Sequence, residues 1–317
     1  MSKLYTRSDF DGLVAGMLML KIGLIGDGDV VFVHPKDVQD GKVELDENCI
    51  TTNLPFDNRV GMAFDHHESE TERLGEDEQR AKDEGRLVLE ANAKSAARVV
   101  YNYYKDQIGD INEEILDAVD KCDSADFSLD EILHPTGWVL LHYIMDARTG
   151  LGRFHDFRIS NYDLMMLLMH YCLDHTIDEI MALPDVHERV QMYFEHEKLA
   201  EAQLEKVTTI RGNTAVIDLR NEETIYTGNR FKIYAMYPEV EFSIHVAWGR
   251  QKMNTALMIG KSIVNKEGTA DIGKICLEYG GGGHAKAGTC QVDNDKAEIV
   301  LDEVLEKLKD DDTEYNL

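Results

Sequence analysis

Residues 61–67 read GMAFDHH, an apolar run that ends on Asp65, His66 and His67. A core strand has little use for three consecutive metal-capable side chains, because burying them without partners is costly. Either the strand ends here and the three face a cavity, or they begin an ordinary polar loop. Working outward, the surrounding half alternates between strand-like and helix-like segments. Residues 30–34 (VVFVH) and 61–64 read as strands, and 13–25 (LVAGMLMLKIGLI) reads as a helix. In 94–105, Ala97, Val100 and Tyr104 share one helical face at spacings of three and four. This alternation predicts a parallel α/β sheet, where ligands gather at the carboxyl ends of the strands.

Further along, 68–85 is highly charged with two glycines and reads as a solvated loop or surface helix. From about 111 the pattern turns helical, and the Met-rich stretch 161–172 reads as a core helix. Residues 187–207 are helix-prone throughout, as expected of a helix linking two domains. Beyond them, 214–219, 230–237, 242–248 and 255–260 read as strands, and 297–308 as an amphipathic helix. The expected division is an N-terminal domain over 1–185, a linker helix over 186–208 and a smaller mixed α/β domain over 209–317.

At 317 residues the chain has room for two cores, and an apolar fraction of 43% with five prolines describes a folded protein. There is no apolar run of membrane-spanning length, and the opening MSKLYTRSDFDG has no signal-peptide pattern. No membrane partner is therefore expected, and the cytoplasm is the expected compartment. Five scattered cysteines without a C-x-x-C pair argue against a disulfide framework and a thiolate zinc site. A metal here would be held by oxygen and imidazole. The net charge of −27 repels polyanions, so long nucleic acid is not an expected partner. A small anion remains open, because a cation in a cleft reverses the local field.

Three further stretches carry chemistry. SDFDG (8–12) alternates Asp9 and Asp11 at a strand end, either reaching toward a hard cation or making a plain turn, with Gly12 letting the chain turn into the next helix. In DKCDSAD (120–126), Asp123 or Asp126 is a candidate ligand or a helix-end cap. YGGGGHAKAG (279–288) sets four glycines before His284, a pattern that packing does not select; glycine lets backbone N–H groups close on an anion. Arg148, Arg153 and Arg230 sit in glycine-rich settings and are candidate anion contacts or structural residues.

Together these stretches resemble the DHH phosphoesterase family: AFDHH matches its name-giving motif, SDFDG most of its first motif, and GGGHAKAG (281–288) its C-terminal G-G-G-H-x-x-A-x-G signature. The resemblance covers nearly the whole chain and favours the exopolyphosphatase-like branch that includes nano-RNases. It implies hydrolysis of a phosphoester or phosphoanhydride at a site between the two domains, usually with two manganese ions. By that resemblance Asp11, His66 and Asp123 ligate the second metal and Asp9 the first. Asp65 orients the cluster and His67 faces the substrate phosphate, while Gly281, Gly282, Gly283 and His284 grip the substrate. Apart from the resemblance, Arg230 in its TGNR setting is the arginine expected to add a substrate contact.

Two positions depart from the family pattern. Arg7 stands where the first motif begins with histidine, and Asn53 stands where an aspartate bridges both metals, unless Asp57 replaces it. Both losses fall on one metal, so a single Mn²⁺ (or Mg²⁺) is expected, with Arg7 standing in for the missing ion as a phosphate-binding guanidinium. The expected substrate is a small phosphorylated one: a short oligonucleotide, a nucleoside phosphate or a short polyphosphate. The alternative is a catalytically impaired phosphate or nucleotide sensor. The resemblance also allows a homodimer, since family members frequently dimerise.

Overall fold

The computed structural model describes residues 2–309, which form two compact units. One comprises the residues up to Phe127 together with Pro135–Met192; the other comprises Ser128–His134 and the chain from Tyr193 onward. The division falls inside a long helix, and the excursion of 128–134 into the second unit has no counterpart in sequence composition.

The first unit holds β1 (Ser2–Thr6), α1 (Phe10–Lys21), β2 (Ile25–Phe32), β3 (Cys49–Thr52), β4 (Met62–Asp65) and β5 (Leu87–Leu89). These precede α2 (Ala96–Ile108), α3 (Glu113–Asp123), α4 (Gly137–Met145) and α5 (Asn161–Tyr171). The strands form one parallel sheet in the order β2-β1-β3-β4-β5. The chain runs outward from β1 to β2, then returns to build on the other side of β1. The strand order therefore reverses between β1 and β3, the place where an open α/β sheet leaves a crevice at its carboxyl edge. Thr6, Thr52 and Asp65 end their strands at that edge.

Helix α1 is apolar nearly all round and is buried from Phe10 to Met19, as a helix covered on several sides must be. It packs on α2, α3 and α5. A Cβ at Gly16 would come within 2.8 Å of the Met169 sulfur, so glycine there admits the methionine of α5. Met165 and Met169 are buried, in keeping with a core role for the Met-rich stretch. The charged segment after β4 forms two short helices, Glu68–Leu74 and Glu76–Asp83.

The long helix α6 (Pro184–Val207) is followed by β6 (Thr208–Arg211), β7 (Thr214–Asp218), β8 (Phe242–Trp248), β9 (Thr255–Lys261), α7 (Ile272–Glu278), β10 (Gly282–His284), β11 (Ala287–Val292) and α8 (Ala297–Lys309). The sheet order is β10-β11-β9-β8-β7-β6, antiparallel except between β7 and β8. Val216, Ile244, Leu257 and Ile259 form its core with Ile272 of α7 and Val304 of α8. One expectation fails here: 230–237 is not a strand but carries a short helix, Lys232–Met236. Phe231, Ile233 and Tyr234 are buried, and the Phe231/Ile233 alternation suits a strand until Tyr234 follows on the same side. All five cysteines are buried and free. Among the described residues no helix is long and apolar enough to cross a membrane.

Candidate active site

The carboxyl ends of β1, β3 and β4 supply the chemistry. After β1, Asp9 caps α1 by accepting the Gly12 amide at 2.9 Å, and its other oxygen meets Arg7 Nε at 3.1 Å. A Cβ at Gly12 would collide with the Arg7 carbonyl oxygen. Glycine is needed there for close approach, and not for the turn expected from sequence, because Gly12 is already helical. Asp11, buried in the first turn of α1, accepts the Ala96 and Ala97 amides at 3.0 and 2.7 Å. Those amides are unpaired donors at the N-terminus of α2, so the helix itself aims the carboxylate.

After β4, buried Asp65 accepts from His67 Nδ1 at 2.6 Å. His66 Nδ1 lies 3.2 Å from the Ala93 carbonyl, which only accepts, so this nitrogen carries a proton. Its Nε2 lies 3.2 Å from Asp123 Oδ2, at the end of α3. Asp11, His66 and Asp123 each offer one ligand atom, all within 4.8 Å of one another, and Asp65, His66 and His67 form a second such group. Hard carboxylate oxygens with an imidazole suit a divalent cation such as Mn²⁺, and the Ala93 contact presents Nε2 as the ligand atom.

Asn53 follows β3 with φ +55°, a left-handed conformation uncommon for a residue with a side chain. Its amide donates to the Phe64 carbonyl at 3.1 Å. Its side chain is buried, and neither its oxygen nor its nitrogen has a partner among the described residues. Such an orphaned amide, at the carboxyl end of the strand that pairs with β4, fits a group that the protein itself does not supply. Asp57, the alternative at this position, is taken up by Arg59 at 2.7 and 2.9 Å and belongs to neither ligand group. Asp126 is exposed and likewise outside both.

The crowded carboxylates perturb one another. Burial, and then the charges of Asp123 and Asp9, push Asp11 up to about 7. Burial works against ionisation of Asp123 too, but contact with His66 and the charges of His67 and Arg7 hold it down at about 2. Burial disfavours the imidazolium of His66, yet Asp123, Asp11 and Asp65 outweigh it and raise His66 to about 9. His67 is raised against its burial by Asp65. Arg148 is paired with Asp146 at 2.7 Å, and the charges of Asp9 and Asp123 also stabilise its cation. Perturbed groups gathered at a sheet's carboxyl edge are what a functional site looks like electrostatically.

In the second unit, His284 ends β10 and the glycines line the β10–β11 hairpin. A Cβ at Gly281 would strike the Thr289 carbonyl, and one at Gly283 (φ +153°) would strike the Ala287 carbonyl. Gly288 makes room for the Cys276 sulfur. Gly282 is different: a Cβ there would meet nothing within 4 Å. Contrary to the expectation that packing does not select this pattern, hairpin packing accounts for Gly281, Gly283 and Gly288 and leaves only the reason for Gly282 open. Arg230 stacks over the Phe231 ring at 4.1 Å, and the Arg153 guanidinium packs against Gly150.

No protein-family model matches the chain, and no curated protein matches it either. Solved structures do. A pGpG-specific phosphodiesterase, PggH from Vibrio cholerae, is 46% identical, with 98% of this chain and 99% of that one aligned and a TM-score of 0.77. The chain belongs to the DHH phosphoesterase family. DHH phosphoesterases are hydrolases of phosphoesters, and a binding-only sensor finds no support in the comparisons. More distant structures share the fold. The DHH domain of a member of a ribosomal-protein family is 15% identical, covering 96% of this chain and 87% of that one, with a TM-score of 0.52. RecJ from Thermus thermophilus in complex with Mn²⁺ is 13% identical, covering 97% and 52%, with a TM-score of 0.53.

Sequence reasoning missed the parts of this DHH site that have no motif. The Ala93 carbonyl and the Ala96–Ala97 amides orient His66 and Asp11 through the backbone, which any residue type provides. Only Ser95 announces them, as the N-cap of α2 that accepts from the Arg98 amide.

Proposed function

We propose that this protein is a metal-dependent phosphodiesterase that cleaves short 5′-phosphorylated dinucleotides such as pGpG into mononucleotides. The observation that carries this reading is the full-length, 46% identity to a pGpG-specific phosphodiesterase, in a chain that brings Asp11, His66 and Asp123 together as one ligand group. Asp11, His66 and Asp123, with the Asn53 oxygen, hold a divalent ion. The ion is Mn²⁺ or Mg²⁺, both of which accompany the RecJ structures that share this fold. When bound, such an ion lowers the pKa of coordinated water and shields phosphate charge. One ion is enough for this reading, because Asn53 is neutral and Arg7 lies beside Asp9, where it neutralises that carboxylate and donates to a phosphate oxygen.

The chain's own groups divide the remaining work. His67, whose imidazolium Asp65 favours, donates a hydrogen bond to the phosphoryl oxygen as charge builds there. Arg148 gives a second guanidinium to the same anion. Gly282, where a Cβ would meet nothing, offers its backbone N–H to a substrate phosphate, and the His284 imidazole at the end of β10 donates beside it.

The test is turnover with Mn²⁺ or Mg²⁺ on pGpG, pApA, 3′-phosphoadenosine 5′-phosphate and short polyphosphate, with His66→Ala as control. The expected result is conversion of pGpG to two GMP, falling to background in the variant. If wild type binds pGpG yet cleaves none of the four, the protein is a sensor and this reading is wrong.

A further inference from the structure

The helix that follows the two histidines carries a closed ring of hydrogen bonds. Glu70 is 6% exposed, and its Oε2 accepts the Phe56 amide at 2.9 Å. Arg73 binds both oxygens of Glu70, at 2.8 and 2.6 Å, and donates to the Phe56 carbonyl at 2.8 Å. Both edges of a single residue are thus clamped by one bidentate ion pair, the strong and geometrically selective form of such pairs. A surface helix has no need to bury a carboxylate for stability, because taking charge out of water costs about as much as pairing returns.

The clamped residue lies three positions after Asn53. Between them Pro55 fixes its own φ and restricts Leu54, so the tetrapeptide Asn53-Leu54-Pro55-Phe56 is stiff. At its other end the Asn53 amide is bonded to Phe64. Asn53 meanwhile holds a left-handed backbone and a buried, partnerless amide side chain, both unfavourable unless the surroundings impose them. The clamp is the imposing element on the loop side.

The structure assigns Glu70 and Arg73 as positioning residues: their ion pair, through Phe56, holds the amide of Asn53 against the ligand cluster formed by Asp11, His66 and Asp123. The assignment rests on the proposed function in placing an ion at that cluster. It adds that the helix after the histidine motif and the loop after β3 are one unit. A neutral ligand at position 53 lacks the charge that draws an aspartate to a cation, so its placement must come from rigid support.

The experiment is a double-mutant cycle between Glu70→Ala and Asn53→Ala, with Arg73→Ala as a second arm. Mn²⁺ affinity by electron paramagnetic resonance is read alongside kcat and KM for pGpG. Positioning predicts that Glu70→Ala and Arg73→Ala each weaken Mn²⁺ and lower kcat by about 10- to 100-fold with KM nearly unchanged. In the Asn53→Ala background the same changes should cost almost nothing further. Glu70→Gln, which keeps an acceptor for the Phe56 amide, should recover part of the loss and serves as the folded variant if alanine does not fold. Full additivity with Asn53→Ala, or a drop in melting temperature with Mn²⁺ affinity untouched, overturns the assignment. Should wild type bind Mn²⁺ but not cleave pGpG, the substrate proposal fails, and the affinity cycle still decides the clamp.

Discussion

His66 is written into the structure with one nitrogen committed to Ala93 and the other facing two carboxylates, and this makes its proton a competitor of any cation. An imidazole raised to about 9 is protonated at neutral pH, and an ion must displace that proton to bind. Mn²⁺ affinity is therefore expected to climb steadily from pH 6 to 9, which a titration at several pH values measures directly. Stability of the metal-free protein runs the opposite way. Between the unfolded values, 3.8 for Asp11 and 6.5 for His66, and the folded ones near 7 and 9, the folded chain binds more protons. Its stability consequently falls as pH rises through that window. Melting in EDTA should show a lower midpoint at pH 9 than at pH 6, and Mn²⁺ should reduce the difference. The Arg7 and Asn53 departures give a sharper test of metal count. Arg7→His with Asn53→Asp adds an imidazole ligand and an anionic bridge, so stoichiometry by titration calorimetry should pass from one Mn²⁺ to two. A wild type that already binds two ions rejects the one-ion reading.

Elements show how far the sequence could be read. GMAF running into Asp65-His66-His67 points to a strand end, and β4 does end on Asp65, where pairing with β3 has stopped at Thr52–Phe64 and pairing with β5 stops at Leu89–Asp65. The alternation of strand and helix foretold the parallel sheet, but not which strand lies beside which, since order is set by crossovers and leaves no local pattern. The Lys232–Met236 helix departs from the strand expected there because Phe231 and Ile233 fit a period of two, while Phe231 and Tyr234, three apart, fit a helix. Asp9 and Asp11 were legible as a pair, whereas the division of labour between them depended on the distant N-terminus of α2. The β10–β11 hairpin separates the two reasons for glycine. Gly283→Ala meets a φ of +153° and the Ala287 carbonyl, so it should cost about 1–3 kcal/mol of stability, visible in urea melts. Gly282→Ala meets open space and should leave the melt unchanged while raising KM for pGpG several-fold. An equal effect of both on stability alone would remove the hairpin from the substrate site.

At the scale of the whole molecule the dominant quantity is a net charge of −27, carried by 60 acidic side chains against 33 basic ones. Such a surface repels a polyanion in proportion to its length, and the repulsion extends about 10 Å at 0.1 M salt. A dinucleotide presents few phosphates beyond the one being cleaved, and the cations at the carboxyl edge, Arg7 and Arg148 with any bound metal, lie close to it. Each added nucleotide adds phosphate charge farther from those cations, and a chain of net charge −27 repels it. KM should therefore rise with chain length from the dinucleotide to a hexanucleotide, with kcat changing much less. Salt distinguishes this mechanism from a pocket that is simply too short. Raising NaCl from 50 to 300 mM screens the surface repulsion and should narrow the difference in KM between the two lengths, mostly by improving the longer substrate. A steric limit predicts a ratio that salt leaves alone. A protein that used long strands by electrostatic capture would lose affinity for them as salt rises, the usual behaviour of nucleic-acid binders. The sign of the salt effect on the hexanucleotide thus decides whether the acidic surface acts as a length filter.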